Sequence, residues 1–167
     1  MPRVIVNSTP LIILSNIGKL ELLKKLYAEI CIPKAVFDEV CAKEDSACQR
    51  ILDYPDWIHI CKIKDESQKR MYQAKLHAGE VEVMILAQEN PVADLVILDD
   101  NAAKKTAKFL GLKVTGSLGV LLKAKKENLI REVTPLMKQL IANGFYITRD
   151  VFDLVKNAAG EPLPPFR

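Results

Sequence analysis

The sequence predicts an α/β domain with a parallel sheet covered by helices on both faces. Three observations predict it. Short apolar runs rich in β-branched residues (Val4-Ile5-Val6, Ile30-Cys31-Ile32 and Leu95-Val96-Ile97-Leu98) recur along the chain, as strands buried on both sides do. Stretches with helical patterning separate them, and that alternation gives parallel pairing with right-handed connections. Finally, 167 residues with 49% hydrophobic and 27% charged side chains suit one domain with a substantial core.

The first strand ends at Asn7-Ser8-Thr9-Pro10, polar caps followed by proline, which signal a helix start. A helix is expected over residues 11–17, broken by Gly18, and Leu20, Leu22, Leu23 and Leu26 supply a second amphipathic stretch. The next strand, 29–32, closes at Pro33. A helix over 34–41 places Val36, Phe37 and Val40 on one side. Another helix runs through 49–52, and residues 57–61 read as an edge strand. Residues 65–76 are polar and helical in pattern, and Gly79 opens a helix over 80–89. The strand 95–98 runs directly into Asp99-Asp100-Asn101. A helix over 102–110 stops at Gly111, and a strand over 113–115 ends at Gly116-Ser117. Helices over 118–126, 133–143 and 150–157 complete the domain, with Pro135 in a first turn, where it is tolerated. The domain is expected to span residues 1–159, and 160–167, with three prolines, to form a flexible tail.

The formal charge of +3, from 24 basic and 21 acidic side chains, is too small by itself to mark a nucleic-acid binder. Lysines do cluster locally, at Lys104, Lys105, Lys108 and Lys113 and again at Lys123, Lys125 and Lys126. They are either solvated helix faces or a track for a phosphate backbone. Of the cysteines, Cys31, Cys41, Cys48 and Cys61, none forms a C-x-x-C pair, and His59 and His77 stand alone, so zinc-ligand spacing is missing. Cys31 and Cys61 lie in apolar runs and read as core thiols. The apolar N-terminus is interrupted by Asn7, Ser8, Thr9 and Pro10, so it reads as neither signal peptide nor membrane span. A cytoplasmic protein without a membrane partner is the expectation.

In parallel sheets the functional crevice lies beyond the carboxyl ends of the strands. Asn7, Ser8 and Thr9 follow one strand and Asp99 and Asp100 another, so both clusters belong on one rim. Glu80 begins a helix just before the second of these strands, and Glu39 lies on the helix after strand 29–32. Crowded carboxylates repel one another and are costly to desolvate. A hard divalent cation, Mg²⁺ or Mn²⁺, relieves both problems and can orient a water for hydrolysis. Each member also has a plainer role. Glu80 complements a helix dipole, Glu39 is a solvated helix residue, one of the two aspartates caps a helix, and Asn7-Ser8-Thr9 is an N-cap. The combination carries the argument.

At these residues the chain resembles the PIN-domain superfamily, and more narrowly a group of small prokaryotic PIN-like proteins. The matching stretches are VNSTPLIIL at 6–14, IPKAVFDEV at 32–40, HAGEVEVMILA at 77–87, LDDNAAKKTAKFLGLKVTGSLGVLLKAKK at 98–126 and LIANGFYIT at 140–148. The resemblance implies a three-layer PIN-like fold with additional C-terminal helices. It implies a Mg²⁺- or Mn²⁺-dependent endoribonuclease acting on RNA phosphodiesters, with the toxin role of a toxin–antitoxin pair among the activities of such proteins. The family's acidic roles fall on Asn7, Glu39, Glu80 and Asp100 as metal ligands, with Asp99 an adjacent catalytic candidate. Ser8, Thr9, Thr115 and Ser117 would line the rim, and Lys104 and Lys105 would hold the RNA. A small antitoxin and a second copy of the chain are the implied protein partners. The departure is Asn7, where the superfamily usually has Asp, because an amide is a neutral and weaker ligand. That departure leaves a second reading, a catalytically weak module that binds RNA or a protein. A third, a phosphotransferase with Asp99 as nucleophile, lacks the D-x-D-x-T pattern after the first strand.

Overall fold

A computed structural model describes residues 3–42, 46–53 and 56–161. The chain runs β1 (Val4–Val6), α1 (Ser8–Asn16), α2 (Leu22–Tyr27), β2 (Ile30–Pro33), α3 (Lys34–Ala42), α4 (Ser46–Asp53) and β3 (Ile58–Cys61). A 3₁₀ turn over Glu66–Gln68 leads into α5 (Lys69–Tyr72), followed by α6 (Ala78–Glu89), β4 (Leu95–Ile97), α7 (Asn101–Phe109) and β5 (Lys113–Thr115). Three helices close the fold: α8 (Ser117–Lys126), α9 (Thr134–Ala142) and α10 (Arg149–Ala158).

The five strands pair in the order β3-β2-β1-β4-β5, every pair parallel, with helices around the sheet as expected for an α/β PIN-like fold. Successive residues of a strand face opposite sides. Val4, Ile5 and Val6 are all buried, so both faces of the central strand are covered. Between β1 and β4 the register is Val4↔Leu95, Ile5↔Val96 and Val6↔Ile97. The Asn7 amide donates to the Ile97 carbonyl at 2.9 Å and extends that pairing to the rim. From β1 the chain winds outward through β2 to β3, then returns to the other side of β1 for β4. The β1/β4 boundary is therefore the topological switch point, where such sheets open a crevice.

Most expected elements are present, and the differences have local causes. Helix α1 begins at Ser8 rather than at residue 11, because Pro10 falls in the first turn, where no amide donor is needed. The expected helix over 65–76 is split. The Asp65 carboxylate accepts from the Ser67 amide at 3.0 Å and tightens the chain into the 3₁₀ turn before α5. Trp57 precedes β3 instead of joining it, although its carbonyl accepts from the Ile30 amide at 2.9 Å. Cys31 is buried as expected, but Cys61 is only partly covered on edge strand β3. Cys41 and Cys48 form a disulfide that joins the end of α3 to α4.

A buried glutamate and a partly buried one brace the architecture. Glu82 of α6 accepts from the Ala35 amide at 2.9 Å and fixes the first turn of α3 against α6. Glu161 accepts from Lys125 Nζ at 2.6 Å and from the Val133 and Thr134 amides at 2.9 and 3.0 Å. Its carboxylate thus faces the N-terminus of α9, where negative charge is favoured. Of the expected tail, Gly160 and Glu161 are described, and 162–167 lie outside the described residues. No helix of the described residues is long and apolar enough to cross a membrane.

Candidate active site

Asn7 stands at the carboxyl end of β1 with extended backbone and precedes α1, yet its side chain makes no capping hydrogen bond. It is 4% exposed, and its Oδ1 has no hydrogen-bond partner. A buried acceptor left unpaired costs about 1–3 kcal/mol. The plainer role of Asn7 as a side-chain helix cap therefore does not account for it, and its oxygen is left for a donor, a water or a cation.

Glu39 arrives from α3 and is held at both oxygens. Oε1 accepts from the Gly79 amide at 2.7 Å and Oε2 from the Ser8 hydroxyl at 3.0 Å. The absence of a side chain at position 79 makes this approach feasible, since a Cβ there would lie 2.7 and 2.9 Å from the two carboxylate oxygens. Glu80, next along α6, is 5% exposed and accepts from the His77 amide at 2.9 Å. Burial pushes its carboxyl above the ordinary glutamate range. The His77 amide pulls the other way, and the negative charges of Asp100 and Glu39 add to the rise. Asp100 is exposed at the rim and caps α7 through the Ala103 amide at 2.9 Å.

Asn7, Ser8, Thr9, Glu39, His77 and Glu80 line one cavity of about 460 Å³. It lies beyond the carboxyl end of β1, between the starts of α1 and α6 and the last turns of α3, and Asp99 and Asp100 are not among its lining residues. A larger depression of about 1030 Å³, around Lys19, Asn128 and Arg131, has Glu132 as its one lining carboxylate.

Asp99 and Asp100 part company. Both oxygens of Asp99 are taken by Ser117, Oδ1 by its amide at 2.8 Å and Oδ2 by its hydroxyl at 2.6 Å. Asp99 thereby fastens the start of α8 to the end of β4. Ser117 is fully buried and committed to that contact. The Thr115 hydroxyl turns to the Gly116 carbonyl at 3.4 Å. Lys104 reaches across α7 toward Gly116, where an added Cβ would meet its Nζ at 2.9 Å and Asp99 Oδ1 at 2.8 Å. Lys105 is exposed on α7. His77 and Gly79 belong to the site and were not foreseen. The signal for Gly79 was its place before Glu80, and His77 carried none beyond proximity.

Among the described residues, no group of three or more His, Cys, Asp or Glu side chains is gathered so that it could hold a metal ion. Glu39, Glu80 and Asp100 each give an oxygen to an amide at a helix start. The fit to a hard cation therefore rests on donor chemistry, all oxygen and mostly anionic, and on the unpartnered Asn7 Oδ1 beside it.

A family model described as a PIN domain matches residues 3–161. No curated protein matches the chain.

Proposed function

The chain belongs to the PIN-domain family, and from that premise we propose that it is a divalent-cation-dependent endoribonuclease that hydrolyses RNA at the rim between β1 and β4. One observation carries the proposal: Glu39 and Glu80, from separate helices, enter one cavity beside the buried, unpartnered Asn7 oxygen. Asn7, Glu39, Glu80 and Asp100 are the residues that would hold Mg²⁺ or Mn²⁺. When bound, the ion supplies charge neutralisation at the phosphodiester and a more acidic water.

The chain's own residues do the rest. Ser8 and Gly79 lock Glu39 in one orientation. Glu80, buried in the cavity beside Asn7 and Glu39, is the carboxylate placed to accept a proton from the attacking water. That water oxygen forms a bond to phosphorus, the bond to the leaving ribose oxygen breaks, and solvent protonates the leaving group. Ser8 and Thr9, at the start of α1, line the cavity, and a phosphate oxygen is favoured at a helix start. Asp99 holds the rim through Ser117 and does not touch the reacting atoms.

The test is calorimetric titration of the full chain with MnCl₂, followed by cleavage of labelled RNA. Glu80→Gln and Asp100→Asn should each abolish metal-dependent cleavage while keeping the cooperative unfolding of the parent. Equal cleavage by parent and variants would point to another site or to a contaminant. We extend the proposal to the toxin of a toxin–antitoxin pair, acting as a homodimer and restrained by a small protein. An adjacent small reading frame whose product blocks cleavage is the check. A second reading, an RNA- or protein-binding module without catalysis, is favoured by the neutral Asn7 and by the dispersed carboxylates. RNA binding with no Mn²⁺ heat and no cleavage would establish it in place of the first.

A further inference from the structure

We infer that the outer face of α7 is a docking track for single-stranded RNA, with Phe109 as the platform on which one base stacks. The inference rests on the RNA substrate proposed above and adds to it a docking face and a base-contacting residue.

Helix α7 starts at the site, because Asp100 is its N-cap. Its inner face is Ala103 and Ala107, both fully buried. Asn101, Lys105 and Phe109 fall at i, i+4 and i+8 on the opposite face, with Lys108 beside them, and all four are exposed. The helix Asn101–Phe109 carries three lysines and no acid. Lys113 follows at the exposed start of β5. Lys105, Lys108 and Lys113 enter no ion pair among the described residues, whereas Lys104 turns toward Gly116 and Asp99. With no acid on the helix, this face carries net positive charge leading away from the carboxylates.

Phe109 is the second half of the argument. It is 89% exposed, the most exposed of the large apolar side chains described. A phenyl ring standing in water among lysines has the composition of a single-strand site. There the cations track phosphates, and the ring stacks on a base without regard to its identity. Bases of a duplex are stacked on one another and cannot reach such a ring, which selects the single strand. From Asp100 to Phe109 the helix rises about 13 Å at 1.5 Å per residue. That is the reach of roughly four stacked nucleotides at about 3.4 Å each. A strand cut at the rim can therefore lay a neighbouring base on Phe109.

The probe is a fluorescein-labelled twelve-residue oligouridylate, read by fluorescence anisotropy with the full chain in EDTA, so that no metal-dependent cleavage intervenes. Phe109→Ala should weaken binding about tenfold, and Phe109→Trp should retain it. Lys105→Gln and Lys108→Gln should each lower the slope of log affinity against log salt by about 0.7. Because Phe109 is exposed, these variants should unfold at the parent's denaturant midpoint. Equal binding by Phe109→Ala and the parent overturns the inference, as does equal, Phe109-dependent affinity for a duplex. A parent dimer that Phe109→Ala splits, with RNA affinity unchanged, overturns it too and assigns the face to a second copy. Failure of the nuclease proposal is distinguishable. Phe109-dependent binding in a chain that never cleaves RNA sinks catalysis alone, and Asp100-dependent cleavage with Phe109-independent binding sinks the track alone.

Discussion

Replacing Gly79 by alanine separates the stability of α6 from the geometry of the site. An added Cβ would lie 2.7 Å from Glu39 Oε1 and 2.9 Å from Oε2, closer than a Cβ and an oxygen approach in real structures. The carboxylate must withdraw, because the Cβ is fixed to the helix backbone. Withdrawal removes the 2.7 Å hydrogen bond from the Gly79 amide and the 3.0 Å bond from Ser8. Hydrogen bonds to a charged group contribute about 1.5–3 kcal/mol each, and re-solvation of a half-exposed carboxylate recovers much of that. Against the loss, alanine is favoured over glycine in a helix by about 1 kcal/mol. The net expectation is a destabilisation of about 1–3 kcal/mol, a fall in Tm of about 3–10 °C for a domain of this size. Calorimetric melts with and without MnCl₂ give both readouts. The metal-induced rise should shrink in Gly79→Ala, because Glu39 no longer faces Asn7 and Glu80. Combining it with Glu39→Asp, one methylene shorter, should restore part of the stability as a coupled pair. A variant that melts above the parent by helix propensity alone, with an unchanged response to MnCl₂, would refute the reasoning.

The same measurements reach three other positions. Burial pushes the Glu161 carboxyl up, but the Lys125 ammonium and the Val133 and Thr134 amides outweigh it and bring it down to about 2. Its folded value is below the unfolded value of about 4.3, so its contribution is present above that pH and fades as pH falls toward 2. Glu161→Gln should cost about 1–2 kcal/mol at pH 7, after discounting for screening, and a small fraction of that near pH 2, as read from denaturant midpoints. Asn7→Asp adds a charge beside Glu39 and Glu80, so the metal-free chain should melt lower and gain more from MnCl₂; no change in either would leave Asn7 out of the ion site. Asp99→Asn should cost about 1 kcal/mol through Ser117 and leave the Mn²⁺ heat intact, whereas Asp100→Asn should lose that heat; the reverse pattern in calorimetry would exchange their roles.

The inner strands β1, β2 and β4 were legible because burial on both faces leaves no charged or amide side chain within them, as in Val4-Ile5-Val6. The rim was legible for the same reason in reverse. Asn7, Asp99 and Asp100 follow apolar runs at which packing alone would not put acids or amides. What the pattern could not carry is direction. Asp99 and Asp100 are neighbours in sequence, yet one turns to Ser117 and the other to the first turn of α7. That choice depends on where β5 and α8 lie, which no local spacing reports. His77 was passed over because a lone histidine has no periodic signature, and its place in the cavity follows from the fold of α6 against α3. The Cys41–Cys48 bridge was equally hidden, since it spans the junction of two helices rather than a spaced motif.

The cavity is assembled at the beginnings of α1 and α6, with the start of α7 at Asp100 nearby, and each helix start behaves as roughly half a positive charge. Glu39, Glu80 and Asp100 lean on those amides already, so the repulsion among them is partly answered before any ion arrives. On the proposed reading, a cation entering here would take over part of a role the backbone already fills, and on leaving would hand it back. The ion would add stability without being needed for the rim to form. The metal-free chain should then keep its fold where divalent ions are scarce, and meet them with its carboxylates already in place.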